Sequence, residues 1–345
     1  MKKKILISTG GSGGHVIPAT ILYEHLYEKN DIIISTDNRG FRYLDNNVYK
    51  TLLIDTPKLN LLSLPLNFFK ILFLIIKSIL FLKKEKINFL FSTGGYMSLP
   101  LILAGKFLNL KIYLLEPNLV LGKANKFFLS SCKKIFCYTK QIKNFPEEYK
   151  NKKVIINPLV RNEFYKTKNL KINNDKFHLL VVGGSQGASI FDKNLKKSIL
   201  NISKKFSIKV IQQTHLNNLS SLKEFYAKNN VECDIFNYDK NFIDKVAVAD
   251  LCITRAGATT LAELSTLEVP FIAVPLPNSK DNHQFENANF YAENNACWIL
   301  DQDLFEEKIE QLLEEILSNK TNINKKIQNL SNLNFQNTWL NVNQK

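Results

Sequence analysis

Residues 5–20 read ILISTGGSGGHVIPAT: a short apolar run, a turn with four glycines in positions 10–14, then a stretch with helical spacing. That order predicts a buried strand, a turn whose backbone can approach a phosphate, and a helix whose first amides face it. The frame returns in LVVGGSQGA at 180–188. Gly10, Gly11, Ser12 and Gly14 match Gly183, Gly184, Ser185 and Gly187, each pair 173 positions apart. One glycine loop is weak evidence, but two in the same strand-to-helix frame predict two doubly wound parallel-sheet domains. Their loops would lie at the carboxyl ends of the strands, on either side of a ligand cleft.

The rest of the chain supports that reading. Its 345 residues exceed an ordinary single core, and 45% apolar with 22% charged residues is globular. Strand runs are expected at Lys4–Thr9, Ile32–Thr36, Phe89–Thr93, Ile112–Glu116, Ile135–Thr139 and Val154–Asn157. A second series covers Leu179–Val182, Lys209–Gln213, Asp234–Tyr238, Leu251–Thr254, Phe271–Pro275 and Cys297–Leu300. Helical patterns such as Ile17–Glu28 and Thr259–Leu267 separate them. The expected division is 1–160, a polar linker at 161–176, a second domain at 177–330 and a C-terminal segment at 331–345 that packs back on the first. Five scattered cysteines without CxxC spacing suit reduced thiols, and the three apolar residues after MKKK are too few for a secretory signal.

Several phosphate chemistries fail on spacing. Neither glycine run ends in the GK[ST] of a P-loop, and a GxGxxG frame from Gly11 would need glycine where Val16 stands. Asp37, after the second strand, could still mimic the ribose-binding acid of a dinucleotide fold, which keeps an oxidoreductase as an outside alternative. The only DxD, Asp301-Gln302-Asp303, reads better as a capping box, because Glu306 follows Asp303 by three. No metal site is expected. TRAGATTLAEL (254–264) runs from strand into helix, and Glu263 there suits a pair of ribose hydroxyls, or simply the helix dipole. His283 and Gln284 are candidates to contact a sugar, with Asn287 bonding locally.

These residues together carry a resemblance. GGSGGHVIPA (10–19), TGGYMSLP (93–100), EPNLVLGKANK (116–126), GGSQGA (183–188), FID (242–244), RAGATTLAEL and DNHQFENA (281–288) resemble, in order, the motif series of the MurG family of glycosyltransferases. The resemblance implies the GT-B fold, two Rossmann-like domains facing across a cleft. It implies an inverting enzyme that moves N-acetylglucosamine from UDP-N-acetylglucosamine to the 4-hydroxyl of an undecaprenyl-pyrophosphoryl-N-acetylmuramyl-pentapeptide, in peptidoglycan synthesis. No cofactor and no metal are implied. His15 and Glu116 would be the catalytic groups; for His15 the plainer reading is a helix-entry residue that bonds a phosphate. Ser12, Gly13, Gly14, Asn118, Arg161, Ser185, Ile243, Ala258, Thr259, Thr260, Leu261, Ala262, Glu263 and Gln284 would hold the donor, Ile243 through its backbone. Tyr96 and Ser98 would hold the acceptor diphosphate.

Two departures stand out. The family's usual His-Glu-Gln-Asn is Leu115-Glu116-Pro117-Asn118 here, which removes an imidazole. Its Asn-Pro-x-Arg appears one residue longer, as Asn157-Pro158-Leu159-Val160-Arg161. Another UDP-sugar enzyme of the same fold, such as a glycolipid glycosyltransferase or an epimerase, is the nearest alternative. A non-catalytic nucleotide-sugar-binding protein at the membrane is the alternative from another class.

Charge adds a partner. Residues 1–168 hold 27 Lys and Arg against 11 Asp and Glu, whereas 169–345 hold 19 against 20. The basic half has only three arginines, and its aromatics sit in apolar runs, which argues against nucleic acid. Residues 59–82, LNLLSLPLNFFKILFLIIKSILFL, are 17 apolar in 24, broken by Pro65, Lys70 and Lys77. That is too interrupted to span a bilayer. It suits an interfacial helix with Phe68, Phe69 and Phe73 toward lipid, and with Asn67, Lys70, Lys77, Ser78 and Lys84 along a polar stripe. The bland alternative is a buried crossover helix. The expected place is the cytoplasmic face of the plasma (inner) membrane, as a peripheral protein on an anionic surface.

Overall fold

The computed structural model describes residues 2–57, 64–167, 176–184, 189–237, 239, 241–334 and 337–339. The chain divides into two compact units, one of Met1–Leu159 with Trp339, the other Val160–Thr338.

In the first unit seven strands, all parallel, lie in the order β3-β2-β1-β4-β5-β6-β7. They are β1 Lys3–Ser8, β2 Asn30–Thr36, β3 Thr51–Leu53, β4 Phe89–Ser92, β5 Lys111–Glu116, β6 Lys134–Cys137 and β7 Lys153–Ile155. Helices cover both faces of such a sheet, so strands read as unbroken apolar runs. Side chains alternate across it: Leu6, Ile33 and Leu90 enter one core, and Ile5, Ile7 and Ile34 enter the other. Truncating fully buried Ile7 to alanine would cost about 2–5 kcal/mol.

The second unit repeats the plan in the order β10-β9-β8-β11-β12-β13. Its strands are β8 Phe177–Val182, β9 Ile208–Gln213, β10 Glu232–Phe236, β11 Leu251–Thr254, β12 Phe271–Ala273 and β13 Trp298–Ile299. The order reverses beside β1 and β8, the two strands that carry the glycine loops. All twelve expected strands are present. The unexpected one, β3, is three residues on the sheet edge, too short to show a period.

Three expectations change. Part of the expected linker is built in: Asn162–Lys166 is helical, and Phe164 is buried in the second unit's core. The capping box does not form; neither Asp301 nor Leu304 makes a side-chain cap, and Glu306 accepts instead from Asn194 Nδ2 at 2.9 Å. The Lys320–Asn334 helix belongs to the second unit through buried Leu330, so the expected boundary at 331 lies inside a helix. Trp339 stacks on His25 in the first unit at 4.0 Å. Phe335 and Leu340, in the same C-terminal segment, lie outside the described residues.

The Leu64–Lys84 helix packs Ile71, Ser78 and Leu82 inward. Lys70, Lys77 and Lys84 are exposed as expected, but Asn67 and Ser78 are buried, and the Ser78 hydroxyl donates to the Leu74 carbonyl. The polar stripe therefore splits: its lysines edge the open face while its small polar residues turn toward the protein. No helix among the described residues is long and apolar enough to cross a membrane.

Candidate active site

In the first unit the glycine turn is held from below. Gly11 has φ +89°, a backbone state that glycine enters without strain. Its N–H donates to Asp37 Oδ1 at 2.8 Å, and Gly40 N–H donates to the same oxygen at 2.9 Å. Arg39 Nε donates to Oδ2 at 2.9 Å. Burial alone would raise the Asp37 pKa, but these donors outweigh it and hold the carboxyl below its usual range. Asp37 is thus the anchor of the glycine loop. Its oxygens are engaged in holding the turn rather than standing open as a ribose acid, so nothing here favours the oxidoreductase alternative.

The Gly13–Leu26 helix starts at the turn with Ser12 as N-cap; the Ser12 side chain makes no capping bond. The Ser12 carbonyl accepts from His15 and Val16, leaving Gly13 and Gly14 as the first-turn amides. No acidic residue occupies that turn, so its positive end is not neutralised. His15 Nδ1 lies 3.0 Å from the Thr93 carbonyl oxygen. A carbonyl only accepts, so Nδ1 carries a proton, and in the neutral ring Nε2 is the basic nitrogen.

The 93–98 turn wraps this imidazole. Gly94 and Gly95 have φ +95° and +86°, and a Cβ on Gly94 would stand 3.2 Å from His15 Cε1. Tyr96 keeps 36% exposure on the rim. Ser98 does not: it is fully buried, its hydroxyl accepts from Ser8 and Ser92 at 3.0 Å each, and Gly94 O lies 3.4 Å away. Its side chain knits β1, β4 and the turn together and cannot itself meet an acceptor.

Glu116 also differs from expectation. The side chain is 3% exposed and accepts four hydrogen bonds. Asn118 N–H and Nδ2 reach Oε1 at 3.2 and 3.1 Å; Gly122 N–H and Asn125 Nδ2 reach Oε2 at 2.9 and 3.0 Å. A general base needs a lone pair facing the reacting proton, and all of this carboxylate points into its own loop. Glu116 therefore shapes the 116–125 loop rather than serving as a catalytic group, and Asn118 is bound into the same knot. Leu115, where the family carries histidine, is buried in the core on the other face of β5.

In the second unit Gly184 has φ +77°, and among the described residues nothing lies within 4 Å of where its Cβ would stand; Ser185 lies outside the described residues. Gly257 caps the Ala258–Thr266 helix, whose first turn also lacks an acidic residue. Leu261 N–H closes the helix onto the Gly257 carbonyl at 3.0 Å, so Ala258, Thr259 and Thr260 carry the first-turn amides. Leu261 and Ala262 are buried with their amides inside the helix, and so contribute packing rather than ligand contacts.

Glu263 and Arg161, expected separately, meet each other. Arg161 Nε and Nη2 donate to the two Glu263 oxygens at 2.7 and 2.9 Å. The guanidinium also lies over Phe164 and Phe242. The longer Asn-Pro-Leu-Val-Arg run thus delivers its arginine to the buried carboxylate, rather than to open space where a phosphate would lie. Each Glu263 oxygen keeps a second lone pair for a hydroxyl. Ile243 is buried, second in the Phe242–Ala247 helix, so only its backbone is placed for recognition.

Gln284 is oriented by its loop: Oε1 accepts from Leu276 N–H at 2.9 Å, which turns the Nε2 donors outward. His283 Nδ1 bonds the Lys280 carbonyl three residues away, whereas Asn287, expected to bond locally, gives Nδ2 to the Ala256 carbonyl 31 residues away. Sequence reasoning passed over Arg255. It donates to the carbonyls of Val274 and Pro275 at 3.1 and 3.3 Å and to Gln302 Oε1 at 2.6 Å, steadying the strand end that carries Leu276. Arg255 stands inside the quoted motif, so the signal was there, but only the fold shows where the guanidinium goes. Among the described residues no three His, Cys, Asp or Glu side chains gather as a metal site.

Residues 5–137 match the glycosyltransferase family 28 N-terminal domain and 178–338 its C-terminal domain. A curated relative from Pelagibacter ubique is 48% identical, covering 100% of this chain and 98% of its own. It is described as a UDP-N-acetylglucosamine--N-acetylmuramyl-(pentapeptide) pyrophosphoryl-undecaprenol N-acetylglucosamine transferase. The chain belongs to the MurG family of glycosyltransferases. Acinetobacter baumannii MurG superimposes with a TM-score of 0.77 at 24% identity, over 100% of this chain and 97% of that one. The two parallel-sheet domains expected from the paired glycine loops, and the GT-B fold that the resemblance implied, are borne out. A UDP-N-acetylglucosamine 2-epimerase from Neisseria meningitidis shares the fold at 0.68 but only 13% identity, over 99% and 97%. Fold alone therefore does not separate MurG enzymes from epimerases; sequence identity along the whole chain does.

Proposed function

We infer that the protein is an inverting glycosyltransferase that moves N-acetylglucosamine from UDP-N-acetylglucosamine to a lipid-linked N-acetylmuramyl-pentapeptide. The observation that carries this is the 48% identity, end to end, with the Pelagibacter transferase. The first unit takes the acceptor and the second takes the donor. The acceptor 4-hydroxyl attacks the sugar's anomeric carbon, the bond from that carbon to the diphosphate breaks, and UDP departs. His15 Nε2 receives the hydroxyl proton, and the Thr93 carbonyl steadies the resulting imidazolium through Nδ1–H. Charge building on UDP meets the amides of Ala258, Thr259 and Thr260, which are oriented before the reaction begins. Glu263 accepts from the ribose hydroxyls and Gln284 Nε2 donates to the sugar. The Ile243 backbone pairs with uracil. Ser12, Gly13 and Gly14 lie at the sugar end of the donor, while Tyr96 faces the acceptor diphosphate.

The protein works as a peripheral protein on an anionic, cytoplasm-facing membrane surface. Phe68, Phe69, Phe73, Ile76 and Leu80 are more than half exposed along one face of the Leu64–Lys84 helix, edged by Lys70, Lys77 and Lys84. Phe107, on a helix packed beside it, is 72% exposed. Large aromatics bordered by lysines suit the headgroup boundary of a bilayer.

Incubation with UDP-N-acetylglucosamine and lipid-linked muramyl-pentapeptide should yield the disaccharide product with one UDP released per transfer. UDP binding without product would sink the transferase reading in favour of a silent binding protein. Epimerised donor in the absence of acceptor would favour the epimerase.

A further inference from the structure

We propose that Arg39 binds the diphosphate of the lipid-linked acceptor. This rests on the reading that the acceptor diphosphate lies at Tyr96. Three observations on Arg39 itself carry it. Its Nε is fixed on buried Asp37, so the guanidinium is placed before any ligand arrives, yet its side chain remains 48% exposed. Its Nη2 stands 3.6 Å from the point a Gly11 Cβ would occupy, which puts the fork against the open side of the glycine turn. Tyr96 lies against the same guanidinium, which opposes the rise that burial imposes on the phenol. Asp37 spreads its charge over Gly11, Gly40 and Arg39, so the η nitrogens keep donor capacity toward the rim. The basic half uses lysine almost everywhere and holds only three arginines, of which Arg161 is paired with Glu263. A planar fork that grips two phosphate oxygens does what a lysine cannot.

The test measures KM for two soluble acceptor analogues, one with the diphosphate and one with a monophosphate. Arg39→Gln should raise KM for the diphosphate analogue about 10- to 100-fold, the size of a lost charge-assisted contact. KM for UDP-N-acetylglucosamine should stay within about twofold, and the wild-type preference for diphosphate over monophosphate should shrink. Arg39→Lys should recover part of the loss and serves if the glutamine variant folds poorly. An unchanged acceptor KM, or equal losses on both analogues, would reduce Arg39 to a support for the loop and overturn the proposal. A wild-type protein without transfer would overturn the function reading itself, an outcome separate from an active wild type with an indifferent Arg39→Gln.

Discussion

At the residue scale, His15 and Glu116 separate on the direction of their lone pairs. Both stand at strand ends or the turns after them in the first unit, and the family resemblance marked both as catalytic candidates. Four donors turn Glu116 into its own loop, whereas the Thr93 carbonyl sets the His15 tautomer and leaves Nε2 as its basic nitrogen. We expect His15→Gln to lower kcat by about 10²- to 10⁴-fold, the usual worth of a positioned base. UDP affinity by calorimetry should be unchanged. A variant with full kcat would show that His15 only orients the hydroxyl. Hydrogen-bond partners across 78 residues, as between His15 and Thr93, are invisible to spacing rules.

At the element scale, the Leu64–Lys84 helix shows how far periodicity reaches. A repeat of 3.6 residues places polar groups on a stripe but does not say which edge of that stripe the sheet will cover. Lys70, Lys77 and Lys84 lie toward the open side, and Asn67 and Ser78 face inward. Each lysine near an anionic leaflet contributes about 1 kcal/mol. The triple change Lys70/Lys77/Lys84→Glu should therefore weaken sedimentation with anionic vesicles by about 100-fold or more, while leaving the circular dichroism unaltered. Equal binding to anionic vesicles by both proteins would rule out the lysine edge as a membrane contact. Loss of folding would instead identify a buried helix.

At the scale of the whole molecule, each unit is a doubly wound sheet with a core on either face. Most of the groups proposed for the donor lie on the second unit: the first-turn amides at Ala258, Glu263 and the Gln284 loop. In hydrogen exchange, UDP should slow amides at 242–244 and 257–263 and leave the Leu64–Lys84 helix unchanged. Protection confined to the first unit would reverse the assignment of donor and acceptor.

By itself the sequence determined the strands, the repeated glycine frame and the family, because these rest on local apolar runs and on glycines in states other residues avoid. Only the tertiary structure decided which charged groups are available. Asp37, Glu116 and Arg161 read as ligands, yet each is spent on partners within the protein. A buried charge must be paired: Glu116 finds its donors in its own loop and Asp37 partly in Arg39 and Gly40, but the Gly11 contact and the Arg161–Glu263 pair, 102 positions apart, exist only once the chain is folded.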